Sequence, residues 1–291
     1  MSDLTVIIPF HAETPVEFLE ETLASVLECR SDGLQILVVN AGQYSDSYSI
    51  QEEGVRFLSA DPQSDLVDCV KLGLNEAAAP VVQILLCGVV VTEGWDVRAL
   101  ASFYPGGAAA LVPLIEEPSE GETVRLTGWI YRPDGKIDAA AEGPDPAEGI
   151  LAPTRFSAFF RRDVLADLDW PEAIPMDFAM IDAALLVRAL GMKVVHDEAV
   201  RLELRDVAEE PVDLFGFWKY SEFLQCRWLP LADGQTLPLY RGGSFWLKVR
   251  AFFSGKYPLF HRAQDEGKNL ALQCPVKPIL ERTCRTAQSE R

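Results

Sequence analysis

Side chains that can bind a polar ligand follow apolar runs in the first third of the chain. They are His11 and Glu13 after the first run and Asn40 after the second, whereas the last run is followed by Cys87, Gly88 and Val89. Imidazole, carboxylate and amide groups form hydrogen bonds with polar ligands, and a carboxylate can also bind a hard cation. A thiol is a poor ligand for Mg²⁺ or Mn²⁺, so Cys87 does not continue this chemistry.

Alternating strands and helices must position these groups. The apolar runs are short and rich in β-branched residues, which is typical of central parallel strands. Strands are expected at Leu4–Pro9, Leu34–Val39, Val55–Ser59 and Val81–Leu86, with helices beginning at Thr14-Pro15 and near Ser64. This α/β order predicts an open, mostly parallel sheet flanked by helices. A ligand crevice is then expected at the carboxyl ends of the strands, in residues 9–13, 40–46 and 87–91.

The chain continues this pattern to about residue 205. Helices are predicted at 96–104, 163–168 and 181–190, and strands at 108–115, 158–162, 192–196 and 199–204. A hairpin is expected in the acidic, Gly- and Pro-rich segment 118–149, with its first strand at Thr123–Tyr131. Thr14 is expected to cap the first helix, and Glu17 to close a capping box with it.

Composition limits the class of protein. The 291 residues suffice for one large domain, or for a domain with an extension. Six cysteines without a CxxC pair indicate reduced thiols in a cytosolic protein. None of the three histidines has ligand spacing to a cysteine, which argues against a zinc site. No apolar run approaches the roughly 20 residues that span a bilayer, and the N-terminus lacks the basic start of a signal peptide.

Charge divides the chain into two parts. Residues 1–210 hold 14 Lys and Arg against 37 Asp and Glu, whereas residues 211–291 hold 12 against 7. The acidic first part argues against a nucleic-acid partner, because binding phosphate groups needs a positive surface. In the second part, residues 241–256 place Phe and Val on one helical side with basic flanks. This segment is expected either to contact an anionic membrane or to fold back onto the first part.

Six segments carry a resemblance to a known family. They are LTVIIPFHAE, ILVVNAGQYSD, LVDCVKLGLNEAA, ILLCGVVVTEGW, FFRRDVLADLDW and IDAALLVRALGMKVVHDEAV. Their order and several of their residues resemble the family-2 glycosyltransferases, which have a GT-A fold. The resemblance covers roughly residues 3–205. It implies a GT-A glycosyltransferase-like domain at 1–205, followed by an aromatic-rich, basic and mainly helical extension at 206–291.

The resemblance also implies a reaction. Such enzymes transfer a sugar, with inversion, from a nucleotide-diphosphate sugar to a glycan, lipid-linked or protein acceptor. A divalent cation bound by an Asp-x-Asp motif neutralises the diphosphate leaving group. These positions fall at Cys87, Gly88 and Val89 in this chain. Mg²⁺ or Mn²⁺ is therefore the implied cofactor, but its usual ligands are absent, and no residue is assigned to a metal.

Donor-binding roles are implied for a set of single residues near the strand ends. They fall at Pro9, His11, Glu13, Asn40, Lys71, Cys87 and Val89. An amide at Asn40 can still hydrogen-bond the edge of a nucleobase. For Lys71, contact with a diphosphate competes with a solvated helix lysine. For His11 and Glu13, contact with the nucleotide competes with a plain loop.

The acidic catalytic position falls best at Asp182. This residue would be the general base, or else only the N-cap of the predicted helix at 181–190. Asp177 is the alternate candidate. The family's metal-binding His falls near Glu203, which would either ligate a cation or be a surface residue. His196 lies within a predicted strand and is expected to be structural.

Two classes of function stay open. The first is an inverting glycosyltransferase that works without the usual metal ligands. The second is a catalytically inactive GT-A module that serves as a binding or scaffolding partner. A nucleotidyl- or acyl-transferring enzyme is less favoured, because no Gly-rich phosphate loop is present. Either leading function is expected in the cytoplasm, at the inner face of the membrane if segment 241–256 binds lipid.

Overall fold

The structure, a computed structural model, shows an α/β fold of twelve strands and seven α-helices among the residues that it describes. These residues are 3–42, 44–46, 48–104, 107–118, 123–132, 136–140, 150–205, 213–231, 251, 254–276 and 279. The strands are β1 (Leu4–Phe10), β2 (Gln35–Asn40), β3 (Val55–Ser59), β4 (Val81–Leu85), β5 (Val89–Val91), β6 (Ala108–Pro118), β7 (Thr123–Leu126), β8 (Trp129–Tyr131), β9 (Ile137–Ala139), β10 (Ile150–Ala152), β11 (Ser157–Arg161) and β12 (Lys193–Leu204). The helices are α1 (Val16–Cys29), α2 (Leu66–Glu76), α3 (Trp95–Phe103), α4 (Arg162–Ala166), α5 (Met176–Ala189), α6 (Leu214–Trp228) and α7 (Tyr257–Gln273).

One sheet holds nine of the described strands, in the order β3-β2-β1-β4-β11-β6-β12-β5 with β7 paired to β6. Strand β1 pairs in parallel with β2 and β4, and β2 pairs in parallel with β3. Strands β1 and β4 are buried along their whole length, as expected for central strands of a sheet covered by helices. The predicted α/β class, with helices flanking an open sheet, is confirmed.

Strand β11 runs antiparallel to both of its neighbours, β4 and β6, so the sheet is mixed where a mostly parallel one was predicted. The chain leaves β6 at the carboxyl edge of the parallel strands and forms the small sheet β10-β8-β9 next. It then enters β11 from that same edge, and must therefore run back along β4.

The predicted hairpin between 118 and 149 is found as the antiparallel pair β8 and β9. The strand expected at Thr123–Tyr131 is divided into β7 and β8 at Gly128, whose φ is +106°. A Cβ at this position would lie 2.6 Å from Ala152 O, so the turn needs glycine. Residues 119–122, 133–135 and 141–149 lie outside the described part of the chain.

Helix α1 begins without the predicted capping box. Its N-cap is Pro15, no side chain caps it, and Thr14 donates its backbone N–H to His11 O at 3.0 Å. The turn at His11–Thr14 therefore uses the backbone N–H that Glu17 would have bonded in a capping box. The prediction that Thr14 and Glu17 form a capping box was wrong.

Helix α5 begins at Met176, five residues before the predicted start at Ile181. Its first turns are buried on nearly every side, so they show no apolar stripe of helical period. Periodicity therefore revealed only the later half of the helix. This shift moves Asp182 from the expected helix terminus into the helix interior.

Helices α6 and α7 lie within residues 206–291, for which a separate extension was predicted. Four side chains of α6 are part of the same buried cluster as α5: Tyr220, Phe223, Leu224 and Trp228. Ala251 is the only described residue between 232 and 253, and it is buried against Trp218 and Phe260. Of the predicted helical segment 241–256, residues 241–250 and 252–253 lie outside the described part of the chain. The residues that follow the predicted boundary at 205/206, 206–212, also lie outside it. In the described part of the chain, no helix has both the length and the apolar character that crossing a bilayer requires.

Gly267 lies at the close contact between α6 and α7, and its replacement tests that contact. A Cβ there would lie 2.3 Å from the backbone oxygen of Lys219, which cannot rotate away. We expect Gly267→Ala to lower the free energy of unfolding by about 1–3 kcal/mol, since overpacking outweighs the better helix propensity of alanine. Urea denaturation measures this. Asn269→Ala, at an exposed position on the same helix, is the control and should change stability by less than about 0.5 kcal/mol. Equal stability of the two variants would contradict the packing.

Candidate ligand crevice

The parallel register brings the ends of β1 and β2 together. Phe10 is opposite Asn40, and Ala41 donates its N–H to Phe10 O at 2.9 Å. His11 is half-buried and Glu13 is exposed on the loop after β1. The N–H of Glu13 donates to His11 Nδ1 at 3.3 Å. The structure thus places residues 9–13 beside 40–46, at the edge where the crevice was predicted.

The third strand end, after β4, is closed. Cys87 is 4% exposed and its thiol donates to Pro9 O at 3.4 Å. Gly88 donates its N–H to Thr22 Oγ1 at 2.9 Å, and the Thr22 hydroxyl donates in turn to Val89 O at 2.9 Å. Val89 is fully buried at the start of β5. Burial raises the pKa of the Cys87 thiol, so the thiol stays protonated.

Closure leaves no open coordination position at Cys87–Val89. A bound diphosphate or cation would have to displace the contacts that these residues make with β1 and α1. Within the described ranges, no group of three His, Cys, Asp or Glu side chains could hold a metal ion. The donor set therefore does not fit the Mg²⁺ or Mn²⁺ that the resemblance implied.

The side of the crevice next to Asn40 is polar and aromatic. Asn40 donates its Nδ2 to Tyr44 O at 3.2 Å, and the Tyr44 ring stacks on Phe57 at 5.4 Å between centroids. Two buried oxygens, Asn40 Oδ1 and Tyr44 Oη, have no hydrogen-bond partner among the described residues. Burial, and then the negative charge of Asp46, raise the pKa of Tyr44. A buried oxygen without a partner costs free energy, so both oxygens favour a donor from a ligand or from water.

Lys71 lies on α2 and is half-buried rather than free in solvent. Its Nζ lies 3.2 Å from Asp68 Oδ1 and donates to Trp170 O at 3.4 Å. The ammonium group is therefore held between α2 and the segment before α5. Lys71 is therefore not the freely solvated helix lysine of the first interpretation, and a contact with a diphosphate would compete with its pairing to Asp68.

Asp182 is fully buried in the middle of α5. Its Oδ2 accepts from Arg227 Nη1 at 2.9 Å, and its Oδ1 accepts from Trp228 Nε1 at 2.6 Å. It is not an N-cap, because Pro175 holds that position. An acceptor hydroxyl cannot reach this carboxylate, since both its oxygens are occupied and neither Asp182 nor the Arg227 side chain has exposed surface. This environment does not support Asp182 as a general base.

Asp177 is on the first turn of α5. Its Oδ1 accepts from Trp129 Nε1 at 2.8 Å and from the Arg155 N–H at 2.9 Å. Phe156, which follows Arg155 in the chain, accepts at its carbonyl oxygen from the Leu86 N–H at 3.0 Å. Residues 155–156 therefore lie beside the end of β4. Asp177 is half-buried. Two donors on one oxygen fix the orientation of the carboxylate and leave its second oxygen available.

The remaining candidates take local roles. Glu203 is opposite Val90 in the β12–β5 pair, and its carboxylate is 2.5 Å from Arg205 Nη2. It therefore forms a partly exposed ion pair. His196 Nδ1 lies 2.9 Å from Val112 O on the neighbouring strand, which agrees with the structural role expected for it.

No protein-family model and no curated protein sequence matches the chain. Solved structures match over most of its length. GalNAc-T7 with UDP, GalNAc and Mn²⁺ superposes with a TM-score of 0.58 at 14% identity, covering 90% of this chain and 56% of that one. Residues 1–349 of S. aureus TarS superpose with a TM-score of 0.55 at 14% identity, covering 90% and 71%. The chain has the GT-A glycosyltransferase fold. It spans just over half of the GalNAc-T7 chain, and at this identity the likeness concerns the fold alone.

Within this GT-A fold, sequence reasoning missed Arg227 and Trp228. They are 45 and 46 residues away from Asp182 in the chain, and no spacing rule connects them. The only available signal was the change in composition beyond residue 211, which predicted a separate extension rather than a partner for the carboxylate. The extension thus supplies the groups that occupy Asp182.

The buried pair gives a prediction on stability. Asp182→Asn leaves the Arg227 guanidinium buried without a counter-charge, so we expect a loss of about 3–5 kcal/mol in the free energy of unfolding. Urea denaturation measures it, with Asp265→Asn in an exposed ion pair as the control, expected to cost at most about 1 kcal/mol. Replacing both partners, as Asp182→Leu with Arg227→Met, should recover much of the loss. If Asp182→Asn costs no more than the control, the pair does not contribute as described.

Closure of the β4 end gives a prediction on reactivity. In the native protein at mildly alkaline pH, we expect Cys87 and Cys69 to resist a thiol reagent while the half-buried Cys226 reacts, because only an accessible thiolate attacks. Burial raises the pKa of Cys69 to about 12. Peptide mapping by mass spectrometry assigns the labelled residues, and labelling in denaturant is the control. Labelling of Cys87 as fast as Cys226 would show that the crevice is open there.

Proposed function

We propose that this protein is a GT-A glycosyltransferase-like module, of the family-2 type, that binds the nucleotide of a nucleotide-diphosphate sugar without a metal ion and does not transfer the sugar. The observation that carries this proposal is the burial of Cys87, Gly88 and Val89 against β1 and α1. This strand end is where a transferase of the resembled family would expose metal-binding carboxylates. An enzyme that depends on them could not neutralise its leaving group here.

The nucleotide-binding half of the proposal rests on the other two strand ends. Asn40 Oδ1 and Tyr44 Oη are buried oxygens without a described partner, and an N–H on the edge of a nucleobase can satisfy such an acceptor. The rings of Tyr44, Phe57 and Phe10 form an aromatic wall beside them. Loop residues His11 and Glu13 are accessible to the sugar-phosphate part.

The absence of transfer rests on Asp182 as well as on the strand end. Its carboxylate is neutralised by Arg227 and bonded to Trp228, so it cannot take a proton from an acceptor. The proposed role is then to hold a nucleotide sugar, or to present the folded surface to a partner that acts on glycan or lipid-linked acceptors.

Calorimetry with uridine, guanosine and adenosine diphosphates and their sugar conjugates tests this function, in Mn²⁺ and in EDTA. We expect one nucleotide to bind with the same affinity in both buffers, and no release of free sugar or nucleotide from its conjugate. Asn40→Ala should weaken binding by about fivefold to tenfold, the value of one hydrogen bond. Asn269→Ala on the distant helix α7 is the control. Binding that requires Mn²⁺ would overturn the proposal, and so would the absence of measurable binding for every nucleotide and conjugate in the panel.

The position of Asp177 favours one second candidate, a metal-independent inverting glycosyltransferase. Its carboxylate has one oxygen fixed by Trp129 and Arg155 beside the end of β4, as a general base for an acceptor hydroxyl would need. Product formation from a labelled donor and glycan or lipid-linked acceptors would reveal this activity. In that case Asp177→Asn should lower kcat by about 10²- to 10⁴-fold, while Asp265→Asn leaves it unchanged. Turnover that survives Asp177→Asn would exclude this base.

A further inference from the structure

A second cavity lies at the edge of the sheet opposite the crevice. Its volume is about 310 Å³, near the lower end of the range for small-molecule sites. Arg161 at the end of β11 is opposite Val81 at the start of β4, so the cavity is a full strand length from Leu85 and Cys87. The lining residues are Pro80, Phe103, Tyr104, Gly107, Ala108 and the run Arg161-Arg162-Asp163. Neither proposed nucleotide contact, Asn40 nor Tyr44, belongs to it.

The cavity carries a positive charge in an acidic protein. Arg161 forms a two-fold contact with Asp163, with Nε to Oδ1 at 3.0 Å, so these two charges compensate each other. Arg162 donates Nη1 to the carbonyl of Ala77 at 3.1 Å, and no described carboxylate is its ion-pair partner. The Arg162 guanidinium therefore has further N–H donors beyond the one that bonds Ala77, and no described carboxylate neutralises its charge. Residues 1–210 have 37 acidic against 14 basic side chains, so such a positive site is unusual in this part of the chain.

The opposite wall of the cavity is apolar. Phe103 is 6% exposed at the end of α3, and the neighbouring Tyr104 is 55% exposed. Pro80 and Ala108 add small apolar surfaces at the starts of β4 and β6. A cavity lined by an exposed aromatic side chain and a guanidinium is suited to a ligand with one charged group and one flat or apolar part.

We propose that this cavity is a binding site for a small organic anion, a phosphate or carboxylate group attached to an apolar ring. Arg162 donates to the anionic oxygens through the guanidinium nitrogens that Ala77 does not use. The ring of the ligand packs against Tyr104, the exposed aromatic side chain of the lining. The Arg161–Asp163 pair holds the second guanidinium in place at the border of the site, because Asp163 fixes its orientation. This site is separate from the crevice and does not depend on the function proposed for it.

Phenyl phosphate is the probe, and calorimetry on the full chain is the measurement. We expect phenyl phosphate to bind, and Arg162→Gln to weaken it about tenfold or more through the loss of a charge-assisted hydrogen bond. Arg201→Gln is the control, because Arg201 likewise donates to one backbone carbonyl, although Arg201 is exposed and Arg162 is half-buried. It removes the same charge and should leave binding unchanged. Thermal melting of each variant shows whether it is folded.

Further comparisons separate the two parts of the site. Tyr104→Ala should weaken the binding of phenyl phosphate more than the binding of inorganic phosphate, since only phenyl phosphate has a ring that packs against this side chain. Phenol, which has the ring without the charge, should not bind. The proposal is overturned if folded Arg162→Gln binds phenyl phosphate as the unmodified protein does. It is also overturned if inorganic phosphate binds as tightly as phenyl phosphate, or if phenyl phosphate does not bind at all.

Discussion

The hydroxyl of Thr22 joins helix α1 to the end of β4, and the condition of the crevice depends on it. It accepts from the Gly88 N–H and donates to Val89 O, which satisfies two backbone groups that would otherwise be buried without partners. Ser25, one turn later, accepts from the Val91 N–H. With these groups satisfied, the chain can pass from β4 into β5 under α1 with no need for solvent. Apolar side chains at 87 and 89 then complete the closure.

A buried ion pair joins helices α5 and α6. Asp182 on α5 and Arg227 on α6 lie in an interior without solvent, where a carboxylate alone would be very costly. Burial raises the pKa of Asp182, and Arg227 and the Trp228 N–H oppose that shift by favouring the ionised form. The charge of each partner therefore lowers the free-energy cost of burying the other. As a result, α6 is part of the same core as the GT-A sheet, although its composition resembles that of a separate extension.

Much of the fold was predictable because the relevant signals are local. The strands Val55–Ser59 and Val81–Leu85 are short and rich in apolar residues, and their alternation with amphipathic helices predicts parallel pairing. The start of α5 was not predictable, because a helix buried on all sides shows no amphipathic period. The direction of β11 was not predictable either, since it depends on where the chain leaves β6. For the site, the absence of carboxylates at Cys87 and Val89 was visible in the sequence, whereas the pairing of Asp182 with Arg227 depends on a contact between distant residues.

The side chains of Cys87-Gly88-Val89 explain why the crevice is closed at this strand end. Two carboxylates at this strand end, without a cation, would repel each other and would resist burial. The loop would have to stay open to solvent or hold an ion. A thiol, a glycine and a valine carry no such penalty, and each buried apolar group favours packing against β1 and α1. Gly88 adds the backbone freedom, with φ of +89°, that the turn into β5 requires. The lack of carboxylates and the closure of this strand end are therefore physically linked, and a carboxylate introduced at Cys87 would destabilise the fold.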